Sequence, residues 1–188
     1  MGRRKRDWYP GGFYHVVMRG NNRQGIFTDS TDIQEYHRIL TDVYYKHLFE
    51  IHAYCVMTNH VHLLLHSPHV NISVIMRHIN KRYSDYYRDR YDYTGQIYEN
   101  RYYSKDVTSI QALLHTSAYI HLNPIETTYP MAQKLEMYPY STYPSYFGNQ
   151  LSPQPYIHLE MLPGLLNKMN NPDGLSYAKW CLSRKEEK

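Results

Sequence analysis

The chain has 188 residues, a formal net charge of +4 and a pI of about 8.9, a length that suits one domain with an appendage. No run approaches ~18 consecutive apolar residues, which excludes an apolar membrane-spanning helix, and the basic start Arg3-Arg4-Lys5-Arg6 has no apolar stretch behind it, so a secretory signal is not expected. Two distant cysteines, Cys55 and Cys181, exclude a disulfide framework and fit a reduced, cytoplasmic protein, while mild basicity and 22 Tyr against 4 Phe permit a polyanionic partner with bases to stack.

In chain order, Phe13–Met18 predicts a strand, preceded by Pro10-Gly11-Gly12 and followed by Arg19-Gly20-Asn21-Asn22. Asp29 or Ser30 can cap a helix running to about His47, with Ile33, Tyr36, Leu40 and Val43 at helical spacing. Glu50–Met57 predicts a second strand. Thr58-Asn59 connects it tightly to a third at His60–His66, so the two should form a hairpin. A second helix is expected from Asn71 to about Asp92, with Ile75, Ile79, Tyr83 and Tyr86 on one stripe and Arg77, Lys81, Arg82 and Arg88 along its other faces. Ile97–Ser104 predicts a fourth strand. Asp106 or Thr108 should start a third helix, which Pro124 ends by forcing Asn123 away from helix geometry.

The order β-α-β-β-α-β-α is the split βαβ, ferredoxin-like α+β arrangement: a four-stranded antiparallel sheet with helices on one face and an extra helix after the fourth strand. The first and third strands are then central. Beyond Pro124 the periodicity dissolves. Residues 1–148 are expected to be one domain opening on a basic arm at 1–10. Residues 149–188 are an extension packed on it, with a short helix near 159–167 and a charged tail from Tyr177.

The third strand carries the chemistry. His60 and His62 alternate with Val61, so both imidazoles point to one face, roughly 7 Å apart, able to grip one ion or one phosphate. On the third helix His115, Tyr119 and Asn123 repeat every four residues and share a face. An amide oxygen such as that of Asn123 is a hard donor of the kind Mg²⁺ or Mn²⁺ accepts, although an Asn before Pro also serves as a helix cap. Beside such an ion the Tyr119 hydroxyl can attack a phosphodiester. Tyr83, Tyr86 and Tyr87 are rival nucleophiles without a partnering amide before a Pro.

Together these motifs carry a resemblance. Tyr-Cys-Val-Met-Thr-Asn-His-Val-His-Leu-Leu-Leu (54–65), followed by Tyr-Ile-His-Leu-Asn-Pro-Ile (119–125), resembles the single-tyrosine HUH transposases, nearest to the REP-associated tyrosine transposases and related insertion-sequence transposases. The opening 11–22, the stretch 95–104 and Tyr138–Tyr143 take part, so the resemblance spans about 8–148. Many relatives have Pro where Thr58 stands. The resemblance implies His60 and His62 as metal ligands with Asn123 as the third, Mg²⁺ or Mn²⁺ as the ion and Tyr119 as nucleophile. The reaction it implies is transesterification on single-stranded DNA through a 5′-phosphotyrosine, with DNA hairpins recognised by a monomer or homodimer. Arg3, Arg4, Lys5, Arg6, Arg77, Lys81, Arg82 and Arg88 are candidates for the phosphate backbone. Two other readings stay open: a non-catalytic hairpin-binding protein of the same fold, and a different metal enzyme or metal-storage protein.

Overall fold

A computed structural model describes residues 8–148, 152, 154–169, 171 and 173–185. The strands are β1 (Gly12–Arg19), β2 (Glu50–Val56), β3 (His60–Ser67) and β4 (Tyr103–Asp106). The helices are α1 (Ser30–His47), α2 (Ile72–Tyr91), α3 (Ile110–Leu122), α4 (Tyr143–Gly148), α5 (Met161–Lys168) and α6 (Tyr177–Ser183). All pairings in the sheet are antiparallel and the order is β2-β3-β1-β4, so β1 and β3 are central and the ferredoxin-like α+β expectation holds.

Strand alternation divides the core in two. Tyr14, Val16 and Met18 of β1 and Val61, Leu63 and Leu65 of β3 face α1 and α2 and form one apolar cluster with Ile33, Tyr36, Ile75 and Ile79. Asp29 caps α1 by accepting from the Thr31 and Asp32 amides. The side chain of Asp32, fully buried, accepts from Thr28, Tyr86, Tyr91 and Arg90, which staples α1 to α2. On the opposite face Ala53, Cys55 and Leu64 pack beneath α3, which is backed by α4, α5 and α6. The helix that carries Tyr119 therefore lies on the same side of the sheet as the H-x-H pair, away from α1 and α2.

Four local expectations need correction. The fourth strand is not continuous over 97–104. Ile97 and Glu99 bond to Asn21 and Arg19 at the end of β1, with a bridge pairing Tyr98 with Gly20, but β4 proper pairs Tyr103 with Val17. The register slips by two residues between these pairings, because Ile97 and Tyr102 are both anchored in the α1/α2 core while Asn100 and Arg101 loop outward. The third helix starts after Ser109, whose Oγ accepts from the Ala112 amide; Asp106 is still paired with Tyr14, and the Val107 amide bonds Phe13 O. Asn123 keeps helical dihedrals and opens a 3₁₀ turn with Pro124, so it stays one turn beyond Tyr119. The charged tail expected from Tyr177 opens as a helix instead: Tyr177, Ala178 and Cys181 form one face of α6 and are buried against α3. Among the described residues no helix is long and apolar enough to cross a membrane.

Candidate functional site

The cross-strand register decides which side chains meet. Val17 lies opposite His62 and Arg19 opposite His60, so the alternate residues His15, Val17 and Arg19 share the face of the H-x-H pair. The His60 and His62 rings stand edge to face, 4.9 Å between centroids. His15 stacks on His62 at 5.2 Å, its Nε2 2.9 Å from His62 Nδ1, so one of these nitrogens donates to the other. Tyr119 sets its ring edge to face against both, 5.6 Å from His62 and 5.8 Å from His15. Tyr119 is 45% exposed and lines a solvent-open cleft of about 630 Å³ together with His15, Arg19, His62, Arg101 and His115.

Burial keeps the histidines neutral. It pushes His62 down to about 2, with the charges of His60, His15 and Arg19 adding to it. His60 and His15 are each held near 4, by burial first and by Arg19 and Lys105 respectively. Neutral imidazoles are the form that binds metals. His60 Nδ1 faces Asn59 Oδ1 at 2.6 Å, and a carboxamide oxygen only accepts, so His60 carries its proton there and presents Nε2. The Asn123 side chain lies beside His60 and donates through Nδ2 to the Tyr119 carbonyl at 2.7 Å. His60, His62, Asn123 and Tyr119 thus stand together within one chain.

The cationic candidates separate. Lys81 pairs with Asp85 at 2.5 Å and Arg82 with Asp42 at 2.6 Å. Arg77 and Arg88 line a second cleft of about 500 Å³, which shares Asn100 and Arg101 with the first. Arg3, Arg4, Lys5 and Arg6 fall outside the described residues. The rival tyrosines face the other way: Tyr83 is fully buried and bonds Ile26 O, Tyr86 bonds Asp32 and Tyr87 bonds Gly25 O. Sequence reasoning missed His15, Arg19 and Arg101. The alternation His15-Val17-Arg19 was a usable signal for the first two, but only once β1 is known to pair with β3.

A second donor group lies elsewhere. Among the described residues, Glu50, His52 and His66 are the group of three His, Cys, Asp or Glu whose ligand atoms all lie within 4.8 Å of one another, a donor set that suits a divalent ion.

No curated protein matches this chain. A solved structure of a REP-associated tyrosine transposase bound to a REP hairpin aligns over 81% of this chain and 89% of its own, at 22% identity and a TM-score of 0.67, a likeness of fold. A Deinococcus radiodurans R1 protein assigned as a transposase aligns over 58% of this chain and 89% of its own, at 19% identity and a TM-score of 0.44. The model of the IS200-like transposases matches residues 11–123, from the start of β1 through Tyr119 to Asn123, and by that match the chain belongs to the IS200-like transposase family.

Proposed function

We propose that this protein cleaves and rejoins single-stranded DNA by transesterification, with Tyr119 as nucleophile and a Mg²⁺ or Mn²⁺ ion held by His60, His62 and Asn123. One observation carries the reading: in a chain of a transposase family, an accessible tyrosine stands against two neutral histidines at the wall of an open, cationic cleft. The donor set fits the ion, since two neutral imidazole nitrogens and an amide oxygen lie together without a competing ammonium. When bound, the ion supplies a positive charge that stabilises the oxygens of the reacting phosphate.

The residues of the chain do the rest. Arg19 and Arg101 line the cleft where phosphates would run. His15 holds the ring of His62 through the 2.9 Å contact, and Asn59 does the same for His60. The Tyr119 oxygen bonds to phosphorus as the bond from phosphorus to O3′ breaks. The phenolic proton leaves to the solvent-open cleft, the departing O3′ takes a proton from water, and a 5′-phosphotyrosine remains. In the return step a 3′-OH attacks that phosphorus, the bond to Tyr119 breaks and the phenol is restored. The substrate is expected to be a DNA hairpin of the kind bound by the similar REP-associated transposase, processed in the cytoplasm, where the buried thiols of Cys55 and Cys181 stay reduced.

The test is a labelled single-stranded hairpin incubated with Mn²⁺ and resolved on a denaturing gel. The parent should form a covalent adduct and Tyr119→Phe should not. An adduct in Tyr119→Phe overturns the role of that residue. A parent that never cleaves, with hairpin affinity unchanged in Tyr119→Phe/His62→Ala, replaces the reading with binding alone.

A further inference from the structure

The same face of β3 that starts at His60 ends at His66, about 13 Å further along the strand from His62. There it meets the start of β2. Glu50 is the cross-strand partner of His66, and the register shift between Ile51 and Ala53 lets Glu50 and His52 share this face while Ala53 and Cys55 still face α3. His66 Nδ1 stands 2.9 Å from Glu50 Oε2 and His52 Nε2 stands 3.3 Å from the same oxygen. The Phe13 ring stacks on His66 at 4.3 Å and fixes its plane.

His52 is the informative member. It is 2% exposed, and its Nδ1 lies 3.1 Å from the backbone carbonyl of His158. A carbonyl only accepts, so Nδ1 carries a proton there, and in a ring with that one proton the Nε2 lone pair faces Glu50. That Nε2 is buried without a hydrogen-bond partner. A lone pair aimed at a carboxylate oxygen is unfavourable unless a cation sits between them. An Nδ1–H bonded to a backbone carbonyl is also the arrangement that orients metal-ligating histidines.

We infer that Glu50, His52 and His66 form a second metal site, which takes Zn²⁺. Two imidazoles and one carboxylate are a zinc donor set. At bond lengths of about 2.0–2.2 Å, tetrahedral donors stand about 3.4 Å apart, so the 2.9 and 3.3 Å separations need only a small opening. The fourth position is left to water. The site ties the extension to the sheet. The Ile51 amide bonds Tyr156 O at 2.7 Å and the His158 amide bonds Ile51 O at 3.0 Å, so 156–158 lies along the free edge of β2, and His158 O in turn holds a ligand. This site is independent of the Tyr119 cleft and of the reaction proposed there.

The experiment uses the full, untagged chain carrying His60→Ala and His62→Ala, stripped with chelator. Zn²⁺ is titrated against a chromophoric competitor, Co²⁺ is bound as a spectroscopic probe, and amide exchange is followed at Ile157 and His158. The expected result is one equivalent of Zn²⁺, a tetrahedral Co²⁺ absorption band, and slower exchange at both amides with Zn²⁺ present. Adding Glu50→Gln or His66→Asn should weaken Zn²⁺ at least ~100-fold, while circular dichroism reports an intact fold. No stoichiometric Zn²⁺ in the His60→Ala/His62→Ala protein overturns the site. So does an affinity that neither further change alters, which would leave an ordinary carboxylate–imidazolium cluster.

Discussion

His121 lies two residues beyond Tyr119 on α3 and is fully buried. Its Nε2 stands 2.8 Å from Thr142 Oγ1 and its Nδ1 3.1 Å from the hydroxyl of Tyr177 on α6, with Tyr143 and Tyr146 around the ring. Burial alone pushes it down to about 3, against an ordinary value of 6.5. A histidine depressed in the folded state binds its proton more readily when unfolded. Its contribution is therefore complete above pH ~6.5 and is lost as pH falls towards 3. Between pH 7.5 and pH 5 the loss from this one ring is about 2 kcal/mol, from 1.36 kcal/mol per pKa unit over about 1.5 units. Urea unfolding at the two pH values, in the parent and in His121→Gln, isolates it, because the other buried histidines are common to both proteins. The parent should lose about 2 kcal/mol more than the variant, close to 1 M in midpoint for a typical urea slope. Parallel losses in the two proteins would refute the claim that a neutral, desolvated His121 ties the tyrosine helix to α6.

Three further outcomes follow from the geometry. His15→Ala should weaken divalent-ion binding at the H-x-H pair about 10–100-fold, read by calorimetry, with the fold intact, because it frees the His62 ring without removing a proposed ligand. Arg101→Ala should weaken single-stranded DNA binding and reduce the salt slope by roughly one, whereas Lys81→Ala, which removes one of the two cations paired with Asp85, should leave both unchanged in fluorescence anisotropy. Asp32→Ala should destabilise the chain by about 3–5 kcal/mol in denaturant unfolding, since Tyr86, Tyr91 and the Thr28 amide lose this buried acceptor and Arg90 is left with Asp29 alone among its carboxylates.

Local pattern accounts for most of what could be read without coordinates. The first two helices and the first three strands lie within one or two residues of their expected bounds, because helical stripes, the Asp29 cap and the Thr58-Asn59 hairpin are properties of neighbouring residues. His60 with His62 and Tyr119 with Asn123 were legible for the same reason. Each pair lies within one element, where a period of 2 or of about 3.6 fixes the shared face. The slip in the fourth strand was not legible, since it depends on where Ile97 and Tyr102 lodge beneath α1 and α2. The helix at Tyr177 was hidden by its charged neighbours, although Tyr177, Ala178 and Cys181 carry a short apolar face.

The sequence by itself determined the element order, the two half-sites and the family they resemble. Only the tertiary structure decided that the halves meet. The antiparallel register of β1 against β3 sets His15 beside His62, and the packing of α3 over the sheet brings Tyr119 against both. It also decided that Arg101 loops into the shared edge of two clefts and that Glu50, His52 and His66 converge. Periodicity is set by residues a few positions apart, whereas register and packing angle come from burial summed over the whole core, so contacts between distant segments are not written in any local stretch.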